Sequence, residues 1–142
     1  MTLCLDVQHP VTLLIFMSSV AVIVEDSKGR ILLLLRGPTD RWRPLRWNLP
    51  GGRIERGELV TAAGMRETWE EAGLRVYVLS PLMQVVTSNG TTLDVLYADD
   101  WEGRVRLRDG ENSRWVWVPR DVAWTWDLIP AHREVLKRFA GV

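Results

Sequence analysis

From Gly51 to Leu74 the chain reads GGRIERGELVTAAGMRETWEEAGL. Leu59 to Ala72 is rich in helix formers, and Gly73 is a natural C-terminal breaker, so the stretch predicts a helix ending there. On that helix Glu67, Glu70 and Glu71 fall at i, i+3 and i+4 and share one face. Three like charges stacked in this way are locally destabilising. Solvent tolerates them, and a hard divalent ion such as Mg²⁺ turns them into ligands, because carboxylate oxygens are what it prefers. Arg66, on the same turn, is placed to pair with a carboxylate, and Gly51-Gly52 lets a backbone carbonyl come close enough to add a ligand. An isolated Glu-x-x-Glu-Glu reads as a solvated helix face. Here Gly52, Glu58, Arg66, Glu67, Glu70, Glu71 and Gly73 stand in one register, and chance does not readily produce that pattern.

Outward from this stretch the chain alternates strands and helices. Val11 to Glu25 is rich in β-branched residues and predicts one or two buried strands. The turn cluster Asp26-Ser27-Lys28-Gly29 leads into a strand over Arg30 to Arg36, so the two predict a hairpin. Gly37 to Arg46 reads as a polar loop. Trp47 to Pro50 reads as short and extended, broken by Gly51-Gly52. Strands are expected at Leu74 to Leu79, Leu82 to Ser88, Thr91 to Ala98 and Arg114 to Val118, with Asn89-Gly90 as a hairpin turn. Pro130 to Ala140 predicts a closing helix with Val135, Leu136 and Phe139 on one face. The mixture predicts a mixed sheet packed by helices, an α/β architecture.

Composition sets the outer bounds. The chain has 142 residues, 46% hydrophobic and 25% charged, which fits one domain over 1–142 with residues 1–10 as a lead-in. Eighteen basic residues balance eighteen acidic ones, so any polyanion must be held by a local constellation. The apolar run Val11 to Val24 is shorter than the roughly 20 residues of a spanning helix. No Lys or Arg precedes it, so it lacks the basic region of a signal peptide. One cysteine, Cys4, allows no intrachain disulfide. The expectation is a cytoplasmic protein that neither enters a membrane nor binds long nucleic acid. A homodimer and core burial account equally for the apolar segment and the tryptophans.

Residues 52–74 resemble the Nudix box, Gly-x5-Glu-x7-Arg-Glu-U-x-Glu-Glu-x-Gly-U, where U is a bulky aliphatic residue. Every fixed residue matches. Thr68 departs at the first U position, a local change in packing. The resemblance extends more loosely to Leu49-Pro50-Gly51-Gly52, the flanking strands and the last helix. It implies a Nudix α/β/α sandwich with a mixed β-sheet. It also implies Mg²⁺-dependent hydrolysis of a nucleoside diphosphate linked to another group, with Mn²⁺ as a substitute ion. Metal ions in such a site activate water and clamp phosphoryl oxygens. By the box, Glu70 and Glu71 are the main ligands with the carbonyl of Gly51 or Gly52. Glu67 is either a third ligand or the base that orients water. Arg66 orients Glu67 or Glu58, and Glu58 lies behind the ligands or holds an additional ion. Asp94, Asp99 and Asp100 are candidates for a further carboxylate. Asp99 is preferred because Asp99-Asp100-Trp101-Glu102-Gly103 resembles a strand end in MutT-type members.

On the substrate side the resemblance points to Arg36 as a phosphate contact, with Arg41, Arg43 and Arg46 in the loop before the box. Trp115 and Trp117 share a strand face that either stacks a base or packs the core, and Trp117 is the candidate for the first role. Trp69, beside the glutamates, reads as packing. Leu128-Ile129-Pro130-Ala131-His132 resembles a base-recognition corner, with His132 at the contacting position. The expected ligand is a small nucleotide. The leading expectation is hydrolysis of a nucleoside triphosphate, modified or not, to monophosphate and pyrophosphate. The alternatives are a nucleotide-sugar, ADP-ribose or dinucleoside polyphosphate substrate, and a non-catalytic nucleotide-binding module. Such modules usually lose box glutamates, which this chain keeps. Processing of an RNA 5′ end is disfavoured by the neutral charge and the lack of a basic stripe.

Overall fold

Two central strands of this chain are apolar on both faces because both faces are covered. Along β1 (Ser19–Ile23), Val20 and Val22 enter one core and Ala21 and Ile23 the other. Along β2 (Arg30–Arg36), Leu32 and Leu34 alternate with Ile31 and Leu33 in the same way. A strand buried on both sides reads as a continuous aliphatic run rather than an alternating one. The computed structural model describes residues 18–142. The lead-in 1–10, with Cys4 and His9, and the first part of the apolar Val11–Val24 run lie outside the described residues.

The remaining elements are β3 (Trp47–Asn48), β4 (Gly51–Arg53), α1 (Val60–Ala72), β5 (Arg75–Val86), β6 (Thr92–Glu102), β7 (Asn112–Pro119), a 3₁₀ turn (Ala123–Thr125) and α2 (Pro130–Ala140). They form a four-stranded sheet in the order β4-β1-β6-β5 and a three-stranded sheet in the order β3-β2-β7. The β1–β6 pair is parallel and every other pair antiparallel, so the fold is the expected mixed α/β type. Ala63 and Ala72 of α1 close one core, and Val135 and Leu136 of α2 close the other. Gly73 ends α1 at φ +69°, its N–H donating to the Trp69 carbonyl, which is the left-handed cap that glycine permits.

Three local expectations need correction. The β1–β2 hairpin is confined to its turn, where Glu25 bridges Ile31 and the Leu32 N–H reaches the Val24 carbonyl. Beyond it the strands enter different sheets, because β1 is flanked by β4 and β6. Gly51-Gly52 does not break the chain. It forms β4 against β1, and a Cβ on Gly51 would lie 2.1 Å from the Val20 carbonyl oxygen. Glycine here is a requirement of close backbone approach. The two strands expected on either side of Ser80-Pro81 are one, β5. Its pairing with β6 slips between Pro81 and Met83, which is how a sheet accommodates proline. The Asn89-Gly90 turn joins β5 to β6 as expected.

Candidate active site

Helix α1 turns Ala63, Gly64, Thr68, Glu71 and Ala72 inward. Glu71 is the unusual member of that stripe, a carboxylate with 1% of its surface exposed. Its Oε1 accepts a 2.9 Å hydrogen bond from the Gly51 N–H. Burial pushes its carboxyl well above the usual range. The Gly51 N–H opposes this, and the nearby carboxylates Glu67, Asp109 and Glu111 reinforce it. Glu67 is pushed up to about 7, chiefly by burial and against the pull of Arg66. Gly52 makes room for it, since a Cβ there would lie 2.5 Å from Glu67 Oε1.

Arg66 ties the carboxylates together. Its Nε and one terminal nitrogen grip Glu58 at 2.8 and 2.9 Å. The other terminal nitrogen reaches Glu67 at 2.9 Å and the exposed Glu70 at 3.2 Å. This fork holds the Glu58 carboxyl down at about 2. Glu58 is thus engaged by Arg66, and the Glu55 N–H also donates to it at 3.0 Å. One arginine and the Gly51 N–H cannot fully compensate this many carboxylates.

Glu71, Asp109 and Glu111 offer oxygens within 4.8 Å of one another. The Glu111 carboxyl is raised by burial and then by Asp109. Oxygen ligands around a buried carboxylate are the donor set of Mg²⁺ or Mn²⁺, so the residues fit the expected metal. Asp109 and Glu111 escape sequence reasoning. Asp109-Gly110-Glu111 reads as an ordinary solvated turn before β7, and only the fold brings it to α1. Asp99, the carboxylate preferred from the sequence, is elsewhere. It is exposed and accepts a hydrogen bond from the Ser80 hydroxyl. Val20 faces Gly52 on one side and Asp94 on the other, and Asp99 lies five residues further along β6. At about 3.3 Å per residue that is roughly 16 Å along the strand. Asp94 itself accepts from Gln84 at 2.7 Å.

The substrate-side candidates separate into two groups. Arg36 pairs with Asp40 at 2.6 Å, yet its Nε is buried without a hydrogen-bond partner among the described residues. In the β2–β7 ladder it faces Asn112. Asn112 accepts from Asn48 at 3.3 Å while its own Nδ2 is buried and unpartnered, another feature the sequence does not advertise. His132 Nδ1 accepts a 2.9 Å hydrogen bond from the Leu49 N–H, which places the proton of the neutral ring on Nε2. Burial and then Arg36 hold its acidity at about 4, so the ring is neutral at pH 7. Arg36, Asn112 and His132 therefore gather around the β3 strand as a set of donors. Arg46 is outside that set, paired at the surface with Asp127 at 2.5 Å. Trp117 is outside it as well. Its ring stacks on Trp101 with centroids 5.8 Å apart and packs against the core beneath α1.

Comparison with known proteins decides the family. The chain matches the NUDIX domain over residues 16–139. It belongs to the Nudix family. A curated relative from Mycobacterium tuberculosis, named putative 8-oxo-dGTP diphosphatase 2, is 38% identical over 96 residues, covering 58% of this chain and 68% of the relative. A Bos taurus m7GpppN-mRNA hydrolase, NUDT17, is 42% identical over 57 residues, which cover 40% of this chain and only 19% of that protein. Among solved structures, the Escherichia coli ORF135 protein superposes with a TM-score of 0.75 at 26% identity, covering 88% of this chain and 89% of that one. No helix of this Nudix domain, among the described residues, is long and apolar enough to cross a membrane.

Proposed function

We propose that this Nudix hydrolase converts a nucleoside triphosphate, canonical or base-modified, to its monophosphate and pyrophosphate. The observation that carries the reading is the burial of Glu71 within 4.8 Å of Asp109 and Glu111, beside the Arg66-held Glu67. Glu70, Glu71, Asp109 and Glu111 would hold a divalent cation. When bound, that ion supplies charge neutralisation for a polyphosphate and an acidified water. Hydrolysis forms one P–O bond from water and breaks the bridging P–O bond. The water proton passes to a carboxylate. Glu67 suits that role, because Arg66 fixes its orientation and burial makes it a stronger base than an exposed carboxylate.

The unpartnered donors Arg36 Nε and Asn112 Nδ2 favour an acceptor-rich ligand such as a phosphate chain or a base edge. His132, with its proton on Nε2, offers a donor to a base acceptor. The name of the mycobacterial relative supports a nucleoside triphosphate over a nucleotide-sugar, ADP-ribose or dinucleoside polyphosphate.

The test is incubation of the purified protein with Mg²⁺ and a panel of these compounds, oxidised nucleotides included. Products are identified by chromatography, and Glu70→Gln serves as control. Pyrophosphate released only with metal and with Glu70 intact is the expected result. Turnover confined to a sugar or dinucleotide substrate would replace the substrate class. Nucleotide binding without any turnover would favour a non-catalytic module.

A further inference from the structure

The outer side of α1 carries a second, chemically different surface. Trp69 stands there half-buried, away from both cores, with the Arg75 guanidinium 4.7 Å and the Arg108 guanidinium 4.2 Å from its ring centre. Trp69 packs, as the sequence suggests, but against these arginines and not in a core, because the inward stripe of α1 is filled by Thr68, Glu71 and their neighbours. After β6 the chain runs Arg104-Val105-Arg106-Leu107-Arg108. Val105 and Leu107 pack inward, and all three arginines are exposed. The Arg106 N–H pins this segment to the Ala72 carbonyl at 2.8 Å. Arg75, Arg104, Arg106 and Arg108 form no ion pair among the described residues.

Two shallow hollows flank Trp69. One, about 250 Å³, is lined by Trp69, Tyr77, apolar side chains and Arg75. The other, about 280 Å³, is lined by Trp69, Gly73 and the three arginines of the 104–108 segment. Neither encloses a small molecule. Arg75 faces Glu102 across the β5–β6 ladder, and Glu102 accepts a hydrogen bond from the Tyr77 hydroxyl. The uncompensated guanidinium groups are therefore those of Arg104, Arg106 and Arg108, beside an aromatic floor, on a chain whose formal net charge is zero. An acidic peptide would satisfy the arginines and leave the aromatic hollow without a role. A flexible chain of phosphates and flat rings satisfies both hollows at once.

We propose that this patch binds single-stranded nucleic acid, with phosphates on Arg104, Arg106 and Arg108 and a base against Tyr77. The proposal is independent of the triphosphate reading. It also revises the expectation drawn from neutral charge and the lack of a basic stripe, since the fold assembles one. Arg108 directly precedes Asp109, so a bound strand lies along a path that leads to the carboxylate cluster.

The test is fluorescence anisotropy with a short 3′-labelled oligothymidylate bearing a 5′-hydroxyl, in EDTA, across a salt series. Wild-type protein binds it, and the log–log salt slope is about −2 to −3, the value for three to four neutralised phosphates on a single strand. The double variant Arg104→Gln/Arg106→Gln weakens binding at least about tenfold and flattens the slope, with melting temperature and triphosphate hydrolysis unchanged. Tyr77→Ala weakens binding with the slope retained. Three results would each overturn the proposal: no binding at low salt, unchanged binding by the double variant, or capture by phosphatidylserine vesicles in place of the oligonucleotide.

Discussion

The two long sides of helix α1 are opposite solutions to the same problem of placing charge beside a core. On the sheet side, Glu67 and Glu71 are withdrawn from water and depend on Arg66 and the Gly51 N–H, beside a carboxylate cluster of the kind a cation could occupy. On the outer side, Arg75, Arg104, Arg106 and Arg108 stay in water without an ion pair among the described residues. A buried charge is a stability liability that a ligand can relieve, whereas an exposed one is a standing invitation to a polyanion. The sheet side should therefore respond to metal and to conservative changes of its groups. The outer side should respond to salt and leave the fold indifferent.

Glu71→Gln is the sharpest way to break the contrast. Gln keeps an acceptor for the Gly51 N–H and removes the buried charge. Hydrolysis should fall by about a hundredfold or more, as for other lost electrostatic contacts in active sites. In metal-free protein the melting temperature should rise, at about 3 °C per kcal/mol for a chain of this size. The increase in melting temperature that Mg²⁺ gives the wild type should disappear. Calorimetry with and without EDTA checks both, and a lower melting temperature in EDTA would contradict the liability.

Arg66→Lys retains the charge and loses the fork that joins Glu58, Glu67 and Glu70. Misplacing Glu67 should lower kcat by about ten- to a hundredfold with a smaller change in KM. Steady-state kinetics checks this, and an unchanged kcat would mean that Arg66 only balances charge.

Acid gives a smaller effect with a defined sign. The Arg66 fork holds Glu58 at about 2, and the Arg36 hydrogen bond holds Asp40 at about 2. In both cases the unfolded chain binds more protons between its ordinary carboxylate pKa and about 2. The stabilisation is thus complete above roughly pH 4.5 and fades as pH falls toward 2. Denaturant melts from pH 5 downward should show this loss. Glu58→Gln should show a flatter acid limb.

The smallest effect is expected at Thr68, where the box pattern has an aliphatic residue. Its hydroxyl is buried and donates to the Gly64 carbonyl at 2.7 Å, an intrahelical bond that satisfies it without a core partner. Thr68→Val should change stability by no more than about 1 kcal/mol and leave hydrolysis intact.

Much of this is legible in the sequence. The helix over Leu59 to Ala72 differs from α1 by one residue at its start, and Arg30–Arg36 and Pro130–Ala140 match β2 and α2. Local propensity and terminal glycines act within a few residues, so they are readable in one dimension. The shared face of Arg66, Glu67, Glu70 and Glu71 is readable for the same reason, since helical spacing fixes their relative directions, whereas Gly52 and Glu58 precede the helix and are placed by the box pattern. What the sequence does not carry is long-range contact. Asp99 is one of several exposed carboxylates near a strand end, and nothing local separates it from Asp109 or Glu111. Trp117 and Trp69 carry the same aromatic signal, yet one stacks on Trp101 in a core and the other stands outside among arginines.

The sequence by itself determined the family, the strand–helix order, and the line of carboxylates along one helix. The order and the line follow from propensity, periodicity and spacing, which are properties of neighbouring residues; the family follows from the resemblance of residues 52–74 to the box pattern. Tertiary structure alone decided that Gly51 must be glycine, because its Cβ would strike Val20. It also decided which distant carboxylates join Glu71, that His132 meets the Leu49 N–H, and that scattered arginines form a stripe behind the box helix. Each of those depends on two segments far apart in sequence being held at contact distance, and only the packed sheets and helices set that distance.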